Sequence, residues 1–287
     1  MTLKGRLGLE TARVPHADRH GLLWLSRGRL VVEDGTLHFA SAGGGDLPPG
    51  DYTIPFQMVS CILLGPGGTV SHDALRLLAR HGTGLLIVGE GGVRLYAAFL
   101  PEGPGHSALA RKQAALWADP EKRIEIARRM YAWRLGEVLP ATNIEVLRGI
   151  EGARMKEIYR RLADRYGIKW YGRRYDRQNP ESDDLPNQAI NHAATAVEAA
   201  ALIATAATGA IPQLGFIHED ASISFPLDIA DLFRHTHTIP IAFTAVKVLE
   251  EGSSETVDRL VRRIAGRKFR ETKLIPSMID RIKELLE

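Results

Sequence analysis

The stretch NQAINHAATAVEAAALIATAATG, residues 187–209, decides the architecture of the second half of the chain. Alanine is the strongest helix former, and a glycine at 209 can take the left-handed conformation that closes a helix. The stretch therefore reads as one long helix, Asn187 to Thr208. It is the most apolar part of the sequence, yet Glu198 interrupts it and most of its side chains are methyl groups. That composition argues for a buried helix and against a membrane span. Small side chains let neighbouring helices approach closely, so this helix is expected to be the spine of a helical domain.

Working outward, helical spacing continues on both sides of the spine. Helices are predicted over Ser107–Trp117, Glu121–Glu137 and Asn143–Tyr166, and again from the Pro226 region to the C-terminus, broken at Gly252-Ser253-Ser254. Gly172 to Pro180 reads as irregular. The first hundred residues differ in kind. Leu22–Leu25, Leu30–Val32, Leu37–Phe39 and Val59–Leu64 are short apolar or alternating runs separated by turn chemistry. Asp34-Gly35 predicts a hairpin, and Ser71 is placed to cap a short helix, His72–Arg80. Gly89 to Gly92 predicts a second hairpin between Gly84–Val88 and Val93–Ala97. Gly65-Pro66-Gly67-Gly68 lacks the Lys-Ser/Thr of a phosphate loop and reads as a turn. Leu100 to Gly105 carries two prolines and two glycines and reads as an interdomain linker. The expected fold is α+β: a β-rich domain over 1–100, then a larger all-α domain over 107–287.

At 287 residues, with 45% hydrophobic and 25% charged residues, the composition is that of an ordinary globular protein. The single cysteine, Cys61, excludes an intramolecular disulfide and a cysteine-rich zinc site. Met1 to Arg6 has no signal-peptide hydrophobic region, so a cytoplasmic setting is expected.

One residue breaks the helical pattern. Ile144, Leu147, Met155, Ile158 and Leu162 form an apolar stripe, and Glu151 falls on it, four residues after Leu147 and four before Met155. A carboxylate on a core-facing stripe loses hydration that a partner charge, a metal or a proton must offset. Downstream lie His218 in Gly215-Phe216-Ile217-His218, and Asp228 and Asp231 in Pro226-Leu227-Asp228-Ile229-Ala230-Asp231. Glu, His and Asp together suit a hard divalent cation and metal-assisted phosphodiester chemistry. A plainer reading competes at each position. Arg148 and Arg154 stand at i−3 and i+3 from Glu151, His218 reads as a satisfied histidine at a strand end, and the aspartates favour a helix N-terminus near Pro226.

The net charge of +3 hides a segregation. Arg148 to Arg177 carries ten Lys/Arg against four acids, and Arg259 to Lys273 carries seven against one. Between them, Glu181 to Asp258 holds twelve acids against Arg234 and Lys247 alone. A polyanion-binding surface beside an acidic pocket produces such a pattern; solvated helix faces also do. Tyr159, Tyr166, Trp170, Tyr171 and Tyr175 interleave with the first basic block, a mixture that suits nucleic acid.

Leu147-Arg148-Gly149-Ile150-Glu151-Gly152 with Gly172-Arg173-Arg174-Tyr175-Asp176 resembles the CRISPR-associated spacer-acquisition integrases, the first and larger core adaptation protein, in its subtype I-E branch. Three further strings agree: Leu214 to His218, Asp228-Ile229-Ala230-Asp231, and Val88-Gly89-Glu90-Gly91-Gly92-Val93-Arg94-Leu95-Tyr96-Ala97. The motifs are collinear from about Gly21 to Pro276, where any one alone would be weak. The resemblance implies a homodimer, a small second CRISPR adaptation subunit as partner, and one Mg²⁺ or Mn²⁺ site per subunit held by Glu151, His218 and Asp231, with Asp228 beside them. Relatives in this branch brace the duplex end with a tyrosine where this chain has Arg27, with Trp24 three residues earlier, which leaves that role open.

The implied reaction joins the 3′-hydroxyl of a double-stranded spacer precursor to the CRISPR repeat by transesterification. Asp228 would bind a second ion or orient His218. Arg27, Arg94, Arg148, Arg173, Arg174, Arg259, Arg262, Arg263 and Lys268 are the expected phosphate contacts. Two other functions fit the same residues: a structure-specific nuclease whose nucleophile is water, and a non-catalytic DNA-binding scaffold in which Glu151 and His218 merely pair with arginines.

Overall fold

The structure, a computed structural model, describes residues 21–45, 47–99, 107–137, 143–174, 184–219 and 221–287. The predicted linker Leu100–Gly105, the segment Tyr175–Pro180 and the N-terminal Met1–Arg6 lie outside them. The chain divides into two compact units, one running to Ile87 and resuming from Tyr96 to Ala108, the other taking Val88–Leu95 and the chain from Leu109.

Unit one is strand-rich, as its alternating pattern predicts. Its strands are β1 (Leu22–Leu25), β2 (Gly28–Glu33), β3 (Thr36–Ser41), β4 (Gly50–Ile54), β5 (Cys61–Leu64), β6 (Gly68–Val70), β7 (Gly84–Val88) and β8 (Leu95–Phe99), with helix α1 (His72–His81) between β6 and β7. They form two four-stranded sheets, ordered β1-β5-β7-β8 and β4-β3-β2-β6. β5 pairs in parallel with both β1 and β7, and its four residues are all buried, as a strand covered on both faces requires. β2 and β3 form the hairpin predicted at Asp34-Gly35, where both residues take positive φ (47° and 77°), the mirror-image turn that matches strand twist. Leu30, Leu37, Phe39 and Ile54 meet Leu25, Ile62, Leu64 and Leu85 in one core, with Ala74 and Leu78 of α1. Ser71 caps α1 by accepting from the Ala74 N–H at 3.2 Å.

Two strands went unread in the sequence. β4 alternates with exposed Asp51 and Thr53, and β6 is three residues long and begins inside the glycine run read as a turn. Both exist through pairing with β3 and β2, which no local hydrophobic pattern records.

Unit two contains α2 (Ala108–Ala118), α3 (Pro120–Leu135), α4 (Ile144–Tyr166), α5 (Leu185–Thr208), α6 (Ser224–Leu232), a π-helical turn at Arg234–Thr238, α7 (Ile239–Glu250), α8 (Val257–Glu271) and α9 (Leu274–Leu286). The alanine-rich stretch is α5, closed by Gly209 at φ 71°, and α6, α7, α8 and α9 all pack against it. It is long and apolar enough to cross a membrane, but its apolar stretch is mostly covered by the other helices. A 3-10 turn, Glu90–Gly92, stands where the second hairpin turn was predicted, and it packs on α8. Gly91 sits there at φ 64°, and a Cβ on it would lie 2.6 Å from Gly266 Cα, so two glycines let the two backbones touch.

Candidate functional site

Asn143 caps α4 by accepting from the Glu145 N–H at 2.7 Å, which sets where the helix begins. Leu147, Met155, Tyr159 and Ala163 are buried along one line, and Glu151 lies on it with 19% of its side chain exposed. An arginine does meet Glu151, but neither of its helical neighbours. Arg148 donates to the Ile217 carbonyl, and Arg154 pairs with Glu137 at 3.0 Å. The partner is Arg134, from the last turn of α3, with Nη2 2.7 Å from Glu151 Oε1. Arg134 continues the buried line Ile126, Met130 at i+4 spacing, the same signal that exposed Glu151 and one the sequence reading passed over.

The loop after α5 carries His218. Four side chains hold its backbone carbonyls. Gln113 donates to Ile211 (3.0 Å) and Leu214 (2.9 Å), Trp117 to Gly215 (2.9 Å), Arg123 to Phe216 (3.3 Å), and Arg148 to Ile217. Gly215 is needed in this turn because a Cβ there would lie 2.3 Å from the His218 carbonyl oxygen. From below, Asp228 accepts the N–H groups of Phe216 (2.6 Å), Ile217 (3.0 Å) and His218 (2.9 Å), and also binds His218 Nδ1 at 2.6 Å. Asp228 is fully buried in mid-α6, not at a helix start, and both its oxygens are engaged. It therefore acts as the support of His218. His218 lies in a loop, not at a strand end, and Asp228 raises its pKa. With Nδ1 on the carboxylate, Nε2 is left to accept.

Asp231 lies one turn further along α6, near its C-terminus, where the helix dipole disfavours a negative charge. Two arginines compensate. Arg134 Nη1 is 3.1 Å from Asp231 Oδ2, and Arg234 binds Oδ1 through Nε at 2.9 Å and through Nη2. Burial pushes the Asp231 carboxyl up, but Arg234, Arg134 and His218 together hold it below the usual range. Glu198, the one acid of the spine helix, faces the same charges; its pKa is raised by burial, with Asp231 adding to the rise and Arg234 and His218 opposing it. Arg134, Arg234 and Glu198 are thus site residues that the sequence reading did not assign.

One guanidinium therefore links Glu151 and Asp231, and His218 stands nearby with one ring nitrogen fixed. This donor set, two carboxylates and an imidazole, fits a Mg²⁺- or Mn²⁺-class ion. The donor atoms of the three do not all lie within 4.8 Å of one another; among the described residues only Glu33, His38 and Asp51, on the outer face of β2, β3 and β4, meet that condition. Among the described residues, Arg134 Nε is buried without a hydrogen-bond partner, as is Nδ1 of His235, whose pKa Arg134 helps to lower.

The expected phosphate contacts are spread over both units. Arg27 is exposed, at φ 55°, and Trp24 is half-buried on β1. Arg94 lies 3.8 Å from Asp258. Arg173 donates to Asn187 (3.0 Å) and Asn191 (2.5 Å), and the Arg174 N–H to Asn187 (3.0 Å). On α8, Arg262 pairs with Asp258, and Arg263 (2.5 Å) and Arg259 (3.9 Å) with Glu255. Lys268 is half-buried and lines a groove of about 370 Å³ with Arg263, Arg267, Ile241 and Leu260.

The family profile described as "CRISPR associated protein Cas1" matches residues 22–138 and 131–254. The CRISPR-associated endonuclease Cas1 of Escherichia coli (strain K12) is 37% identical over 274 residues, 95% of this chain and 87% of its own length. That of Geobacter sulfurreducens is 36% identical over 95% of this chain and 86% of its own. The solved TtCas1–DNA complex superposes with a TM-score of 0.84 at 32% identity, covering 96% of this chain and 99% of the other. A casposase bound to integration product, at 14% identity and a TM-score of 0.68, shares the fold alone. With the profile matching residues 22–138 and 131–254 and relatives covering 95% of the sequence, the chain belongs to the Cas1 family of CRISPR-associated proteins.

Proposed function

We propose that this chain is a metal-dependent DNA endonuclease and integrase of CRISPR adaptation, joining the 3′-hydroxyl ends of a spacer precursor to the CRISPR repeat by transesterification. The observation that carries the reading is the grip of Asp228 on His218 Nδ1, at 2.6 Å beside two carboxylates that share one guanidinium. A buried carboxylate that fixes one imidazole nitrogen and presents the other is the usual support of a metal-ligating histidine. Relatives named endonucleases, and a neighbouring structure solved with DNA, support the nucleic-acid chemistry.

Glu151, His218 and Asp231 would hold the ion, which when bound supplies phosphate polarisation and a more acidic attacking hydroxyl. Asp228 orients His218 and keeps the loop from Phe216 to His218 in register. Arg234 anchors Asp231. Arg27, Arg94, Arg148, Arg173, Arg174, Arg259, Arg262, Arg263 and Lys268 hold phosphates, and the surface ion pairs of Arg94, Arg259, Arg262 and Arg263 with Glu255 and Asp258 are weak enough to be exchanged for DNA. The proposed assembly is a homodimer with a small second adaptation subunit on double-stranded DNA. The proposed setting is the cytoplasm, where buried Cys61, its pKa pushed up to about 12 by burial, is an inert thiol.

The test is a strand-transfer assay with a labelled 3′-hydroxyl duplex, repeat DNA and Mn²⁺. Wild type should join label to repeat, and Glu151→Gln should join none. Label released but never joined would favour a hydrolytic nuclease. DNA binding unaffected by Glu151→Gln, with neither product, would favour a scaffold.

A further inference from the structure

Arg134 is the most deeply buried cation of the candidate site, with only 6% of its side chain exposed. It spans the gap between the two carboxylates, Nη2 on Glu151 at 2.7 Å and Nη1 on Asp231 at 3.1 Å. Arg234 engages the other oxygen of Asp231. Two carboxylates thus face two guanidiniums, and the charge of the Glu151–Asp231 pair is already balanced. Adding a divalent cation to a balanced, half-buried site brings it against a resident positive charge in a medium of low effective dielectric. The guanidinium is also poorly satisfied for a purely structural ion pair, because its buried Nε has no acceptor among the described residues. In the same surroundings His235 Nδ1 is a buried nitrogen without a hydrogen-bond partner among the described residues.

We propose that Arg134 is an internal counter-cation that competes with the divalent ion for Glu151 and Asp231, so that metal binds only as this guanidinium yields its place. The inference rests on the reading of Glu151, His218 and Asp231 as metal ligands. Arg134 is a positioning residue under this proposal: it keeps two like charges together on neighbouring elements and sets a threshold for the ion. A structural ion pair makes the opposite prediction for metal affinity, since removing a brace would loosen the ligands. The competing cation, when removed, tightens them around the ion instead.

The experiment measures free Mn²⁺ by electron paramagnetic resonance during titration into wild type, Glu151→Gln, Arg134→Met and the double variant Arg134→Met with Glu151→Gln, without DNA. Arg134→Met should bind Mn²⁺ at least about tenfold more tightly than wild type, and Mn²⁺ should raise its melting temperature more than that of wild type. If wild-type binding depends on Glu151 but Arg134→Met binds no more tightly, the proposal is overturned and the metal reading stands. If neither wild type nor Arg134→Met shows binding that Glu151→Gln removes, the metal reading fails and the proposal with it. Should Arg134→Met not fold, Arg134→Lys decides in the same titration. A lysine keeps the charge but reaches one carboxylate in place of two, so tighter binding than wild type supports the proposal and equal or weaker binding overturns it.

Discussion

At the scale of single residues, Asp228 carries more of the site than its sequence position suggests. Its two oxygens collect three backbone N–H groups and His218 Nδ1. Replacing it by Asn keeps the shape but removes the charge and puts an NH₂ where an acceptor is needed. Hydrogen bonds to a charged group contribute about 1.5–3 kcal/mol each, so Asp228→Asn should lower the unfolding free energy by at least about 2 kcal/mol. Mn²⁺ affinity should fall about 10–100-fold, the usual cost of losing such a support. A calorimetric titration with unchanged affinity would remove Asp228 from the site. Glu151 could be found in the sequence because a charge on an apolar stripe is a local contradiction. Arg134 carries the same contradiction on α3, but that these two contradictions resolve each other is a fact about how α3 and α4 pack.

At the scale of elements, the π-helical turn Arg234–Thr238 joins the site helix α6 to α7 and had no sequence signal. It places His237 in the core, Nδ1 near Thr236 Oγ1 (2.9 Å) and Nε2 near Thr272 Oγ1 (3.0 Å). Burial, with Lys268 and His235 adding repulsion, pushes its pKa down to about 4. Between that value and the ordinary one near 6.5 the unfolded chain binds the extra proton. Stability from this group is therefore complete above about pH 7 and lost as pH falls through about 6.5 toward 4, for a total of about 3 kcal/mol. Urea unfolding at pH 7 and pH 5 should reveal the loss, and His237→Gln should reduce the difference. A variant with an unchanged pH slope would assign the slope elsewhere.

At the scale of the whole molecule, the basic run on α8 tests how DNA is held. Arg262 and Arg263 pair with Asp258 and Glu255 at the surface, where such pairs contribute about 0–1 kcal/mol. Replacing both by alanine should therefore leave thermal stability nearly unchanged. If they contact phosphates, affinity for unrelated duplexes should fall about equally, and the slope of log affinity against log salt should flatten by about one unit per lost contact. A lower melting point with an unchanged slope would make them braces of the helical unit.

Periodicity and turn chemistry by themselves determined the β-rich beginning, the helical remainder, the Asp34-Gly35 hairpin, the Ser71 cap and the spine ending at Gly209, because each is written in residues adjacent along the chain. The motifs around Glu151, His218 and Asp231 likewise determined the family. Tertiary structure alone decided the edge strands β4 and β6, the turn of Gly91 against Gly266, and the choice of Arg134 over Arg148 and Arg154 as the partner of Glu151. It also made Asp228 a support for His218. The reason is physical: these features depend on which surfaces meet in three dimensions, and a charge buried at such a meeting takes its partner from whichever element packs there.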